Sequence, residues 1–578
     1  MIISKESRSA YCVYVARDAS DSTVYAGEQL CLYLRKATGA LLPLMRVKPP
    51  VDKFFAVGSG AARECGVDAD AHGLGQEGYL LRAVNGCVVI SGASDTLRGD
   101  VYGVFDFLEK YVGARFFTET IERIPSRPTL CLPDDIDERV VPALEYRDVY
   151  YPGLTLGGDW SVKNRANGQY VTLRAHQGGK VSYYPFVHSF NLILDPEEYF
   201  DEHPEYFSYV DGKRVRERTQ LCLTNPDVLR IAKQRVREWI QAHPEASIVS
   251  ISQNDCFNPC QCEHCREVDE YEGSHAGTLL RFVNAIAGEL AEEFPNIVFD
   301  TLAYQYTRKP PLHVRPLPNV CVRLCSIECC FAHPLGECHE QMSRWVKEKS
   351  AAFQDDLEGW AKICDRLYVW DYVVNYTHYM MPFFNFNVLA PNIRYLIDNH
   401  VKGIFEEGST SLYGGTELAE MRAWILSKLL WNPSLDTHEL AREFIAGVYG
   451  QAAPYIQRYY DLLRGALDSS PDSHFGLYDL PKTPYITPAV IAKAMELFDM
   501  AESAADDEIV RERVRMARLP MRYFELYTQH LDTPGRDAAI DEFHEELKSR
   551  CIWDIMEGRT LDYAIEDMRK GPIDRFSI

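Results

Sequence analysis

The sequence lacks an apolar run of the length that a membrane-spanning helix needs, roughly 18 residues or more. Basic residues are scarce, since 61 Lys and Arg face 84 Asp and Glu, giving a formal net charge of −23 over 578 residues. A negative field repels nucleic acid and anionic membrane surfaces, so we expect neither as a partner. The first residues lack the basic and then apolar pattern of an export leader, so we expect a cytoplasmic protein.

Internal repeats and low-complexity tracts are also absent, which argues against solenoids and disordered tails. Apolar residues make up 46% of the chain, enough for a large core divided among two to four domains. Aromatic residues are abundant, with 34 Tyr, 26 Phe and 8 Trp. Most such rings fill cores, but flat aromatic walls also suit the apolar faces of neutral sugars.

Residues 1–140 predict a compact α+β domain. A helical pattern at 25–36 precedes an apolar strand at 54–57. Strands at 79–84 and 87–90 flank Asn85-Gly86, a strong signal for a type I′ hairpin. A second amphipathic helix follows, and Gly113 is its expected stop.

Residues 141–430 alternate between strand-like and helix-like runs, which is typical of parallel βαβ units. The predicted strands lie near 145–149, 182–187, 246–253, 297–304, 319–327, 366–371 and 401–406. Seven strands with no obvious eighth still favour an α/β fold of the (β/α)8, TIM-like barrel type. Residues 431–578 predict a C-terminal helical domain, with helices at 440–467, 489–504, 510–530 and 538–550.

Several of these strands end on carboxylates. Asn254-Asp255, Glu328, Asp371 and Glu406-Glu407 each follow a strand-like run. The loops after the strands of an α/β barrel converge on one mouth, which is where such enzymes place their active sites. Paired carboxyl groups at a mouth indicate an enzyme, and specifically a glycoside hydrolase.

Glu328 and Asp255 form the favoured catalytic pair. Glu328 lies among apolar and small residues, which should raise the pKa of its carboxyl group, as a general acid requires. Asp255 lies in a more polar segment and should stay ionised. The alternative for either residue is a helix cap or a salt bridge, and Asp371, Glu406 and Glu407 are rival acids.

Other residues are candidates for binding the sugar. Trp160, Asn164 and Arg165 occupy a glycine-flanked loop, where we expect them at the rim of a pocket. His188 ends a strand-like run, although a lone histidine is as often structural. The complete predicted substrate-binding set is Asn254, Trp160, Asn164, Arg165, His188, Tyr304, Trp370, Asp371, Tyr372, Asn375 and Glu406.

Cysteines are numerous, at 17, and four of them cluster as Cys256, Cys260, Cys262 and Cys265. Four thiolates at this spacing can hold structural zinc, but zinc modules usually place two ligand pairs a dozen or more residues apart. Free thiols or a local disulfide are therefore favoured here, and we expect no metal and no cofactor. The cluster adjoins Asp255 and should shape the loop that carries it.

Seven short segments together resemble one bacterial domain family of formerly unknown function. They are GVFDFLE at 103–109, GARFF at 113–117, HPEYF at 203–207, QND at 253–255, IECC at 327–330, VWDY at 369–372 and LLWNP at 429–433. That family includes glycoside hydrolase family 163, endo-β-N-acetylglucosaminidases of complex N-glycans. The first two segments are also similar to the small α+β domain of α-glucuronidases and β-hexosaminidases.

The resemblance implies a retaining, substrate-assisted mechanism. Asp255 would orient the 2-acetamido group of the sugar, and Glu328 would act as general acid and then as general base. Two alternatives stay open. One is an exo-acting α-glucuronidase- or hexosaminidase-like hydrolase, for which Arg147, Arg165 and Arg323 are the basic residues near strand ends. The other is a non-catalytic carbohydrate-binding protein. In each case the partner is an oligosaccharide or glycan, and a homodimer is an option.

Overall fold

The computed structural model describes residues 1–156, 158–342, 352–411 and 415–571. The chain divides into two compact units. Unit 1 consists of residues 1–180, 418–459 and 496–517, and unit 2 of residues 181–417, 460–495 and 518–578. Helices after residue 431, predicted as a domain of their own, are divided between the two units.

Eighteen strands and nineteen α-helices are formed by the described residues. The strands are β1 Ile2–Ser4, β2 Cys12–Val15, β3 Leu44–Met45, β4 Phe54–Val57, β5 Tyr79–Val84, β6 Cys87–Ser91, β7 Arg115–Phe116, β8 Glu122–Arg123, β9 Leu130–Cys131, β10 Asp137–Val140, β11 Tyr146–Tyr150, β12 Tyr209–Val210, β13 Lys213–Arg214, β14 Ile248–Ser250, β15 Val298–Ala303, β16 Val320–Cys325, β17 Leu367–Tyr372 and β18 Val401–Glu407. The helices are α1 Asp21–Thr38, α2 Ser59–Glu64, α3 Gly99–Phe107, α4 Pro152–Thr155, α5 Trp160–Lys163, α6 Phe190–Ile193, α7 Pro196–Tyr199, α8 Pro226–Ala242, α9 Glu263–Glu272, α10 His275–Leu290, α11 Phe353–Ala361, α12 Phe386–Asp398, α13 Ala419–Trp431, α14 Thr437–Val448, α15 Ala453–Asp468, α16 Pro488–Ala504, α17 Glu508–Thr528, α18 Arg536–Ser549 and α19 Leu561–Lys570.

Unit 1 contains a six-stranded mixed sheet in the order β10-β5-β6-β4-β2-β3. The predicted hairpin is present, with β5 antiparallel to β6 around Asn85 and Gly86. Both turn residues have positive φ, 49° and 86°, as a type I′ turn requires. Helices α1 and α3 cover the sheet through a continuous apolar core. The α+β character predicted for the N-terminal region is therefore present.

Unit 2 is built on five parallel strands in the order β18-β17-β16-β15-β14. They form a curled half-barrel sheet of mixed α/β type, while a complete (β/α)8 ring is not confirmed. The strand predicted at 182–187 is reduced to one parallel bridge between Tyr183 and Ile248. Pro185 explains this in part, because proline has no N–H to donate to a ladder.

Register decides which side chains of this sheet share a face, since residues paired across parallel strands point the same way. Ser250 pairs with Asp300, Leu302 with Arg323, Cys325 with Trp370, and Tyr372 with Glu407. We call this the inner face; it carries the polar and aromatic residues. The opposite, outer face carries apolar residues such as Val322, Val369 and Ile404.

The helix predicted at 440–467 is interrupted. It is two helices, α14 and α15, separated by a turn at Gly450, whose φ is +46°. A left-handed residue breaks the α-helical hydrogen-bond pattern, and glycine adopts that conformation at little cost. Among the described helices, none is both long enough and apolar enough to cross a membrane.

Candidate active site

Asp255 lies just beyond β14, in the loop that leaves the C-terminal end of the strand. Its side chain is exposed, and its Oδ1 accepts a hydrogen bond of 3.0 Å from the hydroxyl of Tyr304. Tyr304 follows β15 and is only 8% exposed. Asn254 anchors the loop, because its Nδ2 donates to Asn191 Oδ1 at 2.7 Å and to the Thr219 carbonyl at 2.8 Å. Two neighbouring strand ends thus hold one carboxylate in place.

Glu407 ends β18 on the inner face. Its Oε2 accepts a hydrogen bond of 2.7 Å from Trp370 Nε1 of the adjacent strand. The Tyr376 hydroxyl donates to its main-chain carbonyl at 2.9 Å. The side chain is half-buried, so the carboxyl group is held by the sheet while remaining reachable from solvent.

Glu557 joins these residues from the C-terminal part of the chain. Its N–H donates to the Tyr376 carbonyl at 2.9 Å, and the Ile555 carbonyl accepts from the Tyr379 N–H at 3.0 Å. Tyr478 is also positioned by a main-chain contact with Tyr376, because the Leu477 carbonyl accepts the N–H of Tyr376 at 2.8 Å. We define the acid-aromatic cluster as Asp255, Tyr304, Trp370, Glu407, Tyr478 and Glu557.

The three carboxyl groups of the cluster lie near enough for the charge of one to act on the pKa of another. Burial, reinforced by the negative charges of Glu557 and Asp255, raises the pKa of Glu407 to about 8. Glu557 is solvent-exposed yet lies among protein atoms, and this partial desolvation, with the charges of Asp255 and Asp554, raises its pKa to about 7. Glu407 therefore carries a proton at neutral pH.

Aromatic rings form the walls around these acids. Trp370 stacks on Tyr372 with ring centroids 6.3 Å apart, and Tyr376 lies between Tyr372 and Tyr478 at 5.9 and 6.2 Å. Trp370 and Tyr478 are half-buried and present ring surface to solvent. Such walls pack against the apolar faces of a sugar ring.

His188 lies beside the cluster, with its ring 6.2 Å from that of Tyr304. Its Nδ1 is 2.7 Å from the Gln253 carbonyl, and its N–H donates to Ser252 Oγ at 2.8 Å. These contacts fix the ring and leave Nε2 for another partner. The structure therefore places the predicted His188, Asn254, Tyr304, Trp370 and Tyr372 close to Asp255.

Glu328, the predicted general acid, lies in a buried ion pair, and its catalytic role stays a prediction. It is 3% exposed, and its Oε2 accepts from Arg308 Nη1 at 2.9 Å, while Arg308 Nε binds Asp356 at 2.7 Å. Burial raises the pKa of Glu328, as the sequence indicated, and the Arg308 guanidinium opposes that effect. Glu328 thus forms a salt bridge with the buried Arg308, which is the alternative role that the sequence analysis left open.

Asp371 and Glu406 occupy the outer face, paired in register on β17 and β18. They are 4% and 1% exposed, and Asp371 Oδ1 accepts from Ser326 Oγ at 2.5 Å. Burial raises the pKa of Asp371 to about 6 and that of Glu406 well above its ordinary value, where the charge of Asp371 adds to the effect. They are two buried acids on adjacent strands and are not members of the acid-aromatic cluster.

Trp160, Asn164 and Arg165, predicted as rim residues, are buried in unit 1 and at most 2% exposed. Trp160 and Asn164 donate to the main-chain carbonyls of Phe117 and Phe116 at 3.1 Å. Arg165 binds Asp106 at 3.0 Å and Glu109 at 2.6 Å. Side chains with these partners hold the core of unit 1, which corrects the exposed position expected for them.

Asn375 is likewise buried and structural. Its Nδ2 donates to the Asp479 carbonyl at 2.9 Å, and its Oδ1 accepts the His378 N–H at 2.8 Å. Its side chain is 0% exposed and holds the segment that carries Tyr478. Among the cluster residues, Tyr478 and Glu557 were not predicted. Neither follows a strand, and no pattern around them separates them from other surface residues of a helical region.

The family model described as "Domain of unknown function (DUF4838)" matches residues 116–461, more than half of the chain. The chain belongs to this family. No curated protein matches it. The part matched includes β14–β18 and therefore Asp255, Tyr304, Trp370 and Glu407, while Tyr478 and Glu557 lie beyond it.

Solved structures of glycoside hydrolases are similar to the whole chain at low sequence identity. A GH115 4-O-methyl-α-glucuronidase with specificity for decorated arabinogalactans is 11% identical with a TM-score of 0.55, covering 98% of this chain and 80% of its own. A GH138 enzyme targeting pectin rhamnogalacturonan II is 10% identical with a TM-score of 0.39, covering 97% and 74%. A GH89 enzyme from Clostridium perfringens, in complex with its substrate GlcNAc-α-1,4-galactose, is 11% identical with a TM-score of 0.47, covering 91% and 65%. The first of these shows that the chain has the fold of a GH115 enzyme.

Proposed function

We propose that this protein is a retaining glycoside hydrolase that cleaves glycans at N-acetylglucosamine by a substrate-assisted mechanism. The observation that carries the proposal is the pairing of Glu407, whose pKa is raised to about 8, with the hydrogen-bonded carboxylate of Asp255 inside an aromatic wall. Glycosidic cleavage needs a proton donor and a stabiliser of positive charge at the anomeric carbon. Two carboxyl groups at one site can supply both roles.

Glu407 is assigned as the general acid. Protonated at neutral pH, it gives its proton to the glycosidic oxygen as that bond breaks. The resulting carboxylate then takes a proton from the attacking water, which restores the acid. Glu557 supports the role, because its negative charge disfavours ionisation of Glu407.

Asp255 is assigned to the 2-acetamido group of the substrate. Its carboxylate accepts the acetamide N–H, which directs the acetamide oxygen to attack the anomeric carbon. Tyr304 holds Asp255 from the side through its hydroxyl. The resemblance to the endo-β-N-acetylglucosaminidases of family 163 supports this assignment of Asp255, whereas it favours Glu328 as the acid.

Charge argues for a neutral sugar at the site. Among the described residues, the acid-aromatic cluster offers a uronate no cation, and an ionised Glu557 would repel it. The arginines considered for a uronate are buried in ion pairs, Arg147 with Glu77 at 2.7 Å, Arg165 with Glu109, and Arg323 with Asp300 at 3.5 Å. An α-glucuronidase-like activity therefore has less support than an N-acetylglucosaminidase.

Mass spectrometry of released glycans tests the proposal. Wild-type protein is incubated with a panel of N-glycans, glycopeptides and small N-acetylhexosaminides, alongside Glu407→Gln, Asp255→Asn and Glu328→Gln. We expect glycans bearing one reducing-end GlcNAc, with a loss of roughly 10²- to 10⁴-fold in Glu407→Gln. Glu328→Gln should keep measurable turnover if it folds.

Other outcomes discriminate among the alternatives. Loss in Glu328→Gln with retention in Glu407→Gln would move the acid to the residue that the family resemblance favours. Release of terminal monosaccharides alone would make the enzyme exo-acting. Binding of glycan without any turnover by wild-type protein would contradict the proposal and leave a carbohydrate-binding protein.

A further inference from the structure

Four cysteine sulfurs converge in unit 2, away from the acid-aromatic cluster. They belong to Cys222, Cys260, Cys262 and Cys265, and every pair of Sγ atoms lies within 4.8 Å. Cys262 is half-buried and the other three are buried. Cys222 lies in the loop before α8, and the others lead into the first turn of α9.

The sulfur separations are those of ligands around one tetrahedral ion. Cys222 Sγ is 3.6 Å from Cys262 Sγ and 3.9 Å from Cys265 Sγ. Zinc–thiolate bonds of about 2.3 Å give a tetrahedral edge of about 3.8 Å. A disulfide would need sulfurs about 2.05 Å apart, and all 17 cysteines have free thiols.

Donors surround the sulfurs as they do at thiolate sites. The Tyr209 N–H donates to Cys260 Sγ at 3.4 Å, and Arg214 Nη1 lies 3.7 Å from the same atom. Thr224 Oγ1 lies 3.2 Å from Cys265 Sγ. Hydrogen bonds of this kind orient metal-bound thiolates, and the arginine offsets the negative charge of a site with four of them.

We propose that Cys222, Cys260, Cys262 and Cys265 bind one structural zinc ion. Four protein ligands leave no open position for a substrate or water, so the ion holds the fold and takes no part in a reaction. Soft sulfur donors select zinc over magnesium or calcium. The proposal does not depend on the proposed hydrolase activity.

Cys256, the member of the sequence cluster nearest Asp255, is not a ligand in this arrangement. Its Sγ lies 3.0 Å from the Arg218 carbonyl and 3.2 Å from Gln220 Nε2. Cys222 takes its place from well upstream in the chain. Zinc modules usually have ligands that are far apart in the sequence, and Cys222 and Cys260 meet that condition. The close spacing of the other cysteines therefore no longer argues against zinc.

The site supports the loop that carries Asp255. Gln220, two residues before Cys222, accepts the Asn254 N–H at 2.9 Å. Its Nε2 donates to the carbonyls of Asn254 at 2.8 Å and Cys256 at 2.7 Å. An ion tying Cys222 to the 260–265 segment therefore fixes both sides of the loop.

Metal analysis of the full chain, purified under reducing conditions without chelators, tests this site. We expect Cys262→Ser to contain one zinc equivalent less than wild type, and Cys256→Ser, the matched control, to contain the wild-type amount. Equal zinc in Cys262→Ser and wild type would overturn the proposal, as would iron in place of zinc.

A second measurement covers a Cys262→Ser variant that does not fold. Wild-type protein is stripped of metal, reduced and titrated with Co²⁺, whose tetrahedral thiolate complexes show intense visible bands and sulfur-to-metal charge transfer. Those bands, displaced by Zn²⁺, are the expected result. Their absence in protein that also contains no metal as purified would overturn the proposal.

A second group of donors carries a separate zinc proposal. Cys330, His333, Cys338 and His474 also place one ligand atom each within 4.8 Å of the others. His474 Nδ1 lies 3.4 Å from Cys330 Sγ and 3.6 Å from Cys338 Sγ, and His333 Nδ1 lies 3.5 Å from Cys330 Sγ. These separations fit a tetrahedral site with two sulfurs and two nitrogens.

The orientation of His333 supports this mixed site. Its Nε2 lies 2.8 Å from the Pro471 carbonyl, which can only accept, so Nε2 carries the proton and Nδ1 is left unprotonated. A carbonyl behind the ring is the usual outer partner of a metal-bound histidine. The site joins the loop after β16 to the segment that carries Tyr478.

We infer that this mixed site binds a second zinc ion. Cys338→Ser should lose one zinc equivalent relative to wild type, while His339→Ala, an exposed neighbour, should lose none. A double variant, Cys262→Ser with Cys338→Ser, should contain no zinc. Unchanged zinc in Cys338→Ser would overturn the second site and leave the four-cysteine site standing. If Cys338→Ser does not fold, Co²⁺ titration of metal-free wild type decides, and uptake of one equivalent instead of two overturns the mixed site.

Discussion

Two neighbours act on the Glu407 carboxyl group in opposite directions. The indole N–H of Trp370 donates to it and stabilises the charged form, which lowers its pKa. The negative charge of Glu557 disfavours the charged form and raises its pKa. A general acid works only while protonated, so in the proposed mechanism both neighbours set the upper pH limit of the reaction.

Replacing Trp370 with Phe should move that limit upward. Without the indole donor, the pKa of Glu407 rises, so the basic limb of the kcat/KM profile shifts to higher pH by up to roughly one pH unit. Glu557→Gln should shift the same limb to lower pH, because a repelling charge is removed. The pH–rate profiles of the two variants check this, and shifts in the same direction would exclude Glu407 as the titrating acid.

The buried ion group around Arg308 should matter for stability. Arg308→Met leaves Glu328 and Asp356 buried without their cation, at a cost of about 3–5 kcal/mol. The destabilisation should shrink as pH falls, because protonation removes the two uncompensated charges. As a control, Arg82→Met breaks a pair whose Asp137 is 71% exposed and should cost about 1 kcal/mol or less. Thermal unfolding at several pH values measures both, and equal losses would contradict the argument.

At the level of elements, sequence patterns located most strands of the half-barrel, because buried parallel strands are continuous apolar runs. They also placed carboxylates at the strand ends. They did not resolve which face each carboxylate takes, since one residue more or less at a strand end reverses its direction. Glu407 points to the inner face and Glu406, its neighbour, to the outer face.

Local sequence patterns could not predict residues that reach a site only through the fold of distant segments. Glu557 and Cys222 each meet their partners through contacts between segments that are distant in the sequence. No local periodicity encodes those contacts. The sequence pattern grouped Cys260, Cys262 and Cys265 correctly. The fourth residue of the group, Cys222, could be found only from the fold.

The pair formed by β17 and β18 should make stability fall as pH rises. Asp371 and Glu406 have raised pKa values, so the folded chain keeps protons that the unfolded chain has released. Stability is therefore lost from about pH 4 upward, through about pH 6 for Asp371 and higher for Glu406. Glu406→Gln should flatten this decline in the unfolding temperature.

Glu109 supplies the control of opposite sign. Its ion pairs with Arg165 and Lys428 lower its pKa to about 2, so its contribution is present above about pH 4.5 and lost as pH falls towards 2. Glu109→Gln should reduce the unfolding temperature at neutral pH, where Glu406→Gln should raise it. A drop in both variants at neutral pH would show that burial does not strain the β17–β18 pair.

At the scale of the whole molecule, the chain has the fold of a solved GH115 enzyme. For the hydrolase that we propose, the choice of substrate depends on the charge of the surface around the site. The net charge of −23 creates a negative field around the molecule. Such a field leaves neutral glycans unaffected and slows the approach of anionic ones.

The dependence of kcat/KM on ionic strength should distinguish neutral from acidic substrates. For a neutral oligosaccharide, kcat/KM should change by less than about twofold between roughly 0.05 and 0.5 M NaCl, because there is no charge to steer. For a matched oligosaccharide ending in an acidic sugar, kcat/KM should start lower and rise with salt, since screening weakens the repulsion. The comparison uses the same enzyme preparation and linkage for both substrates. If kcat/KM for the acidic glycan fell as salt rose, the enzyme would attract anions. That result would favour the uronate-specific alternative.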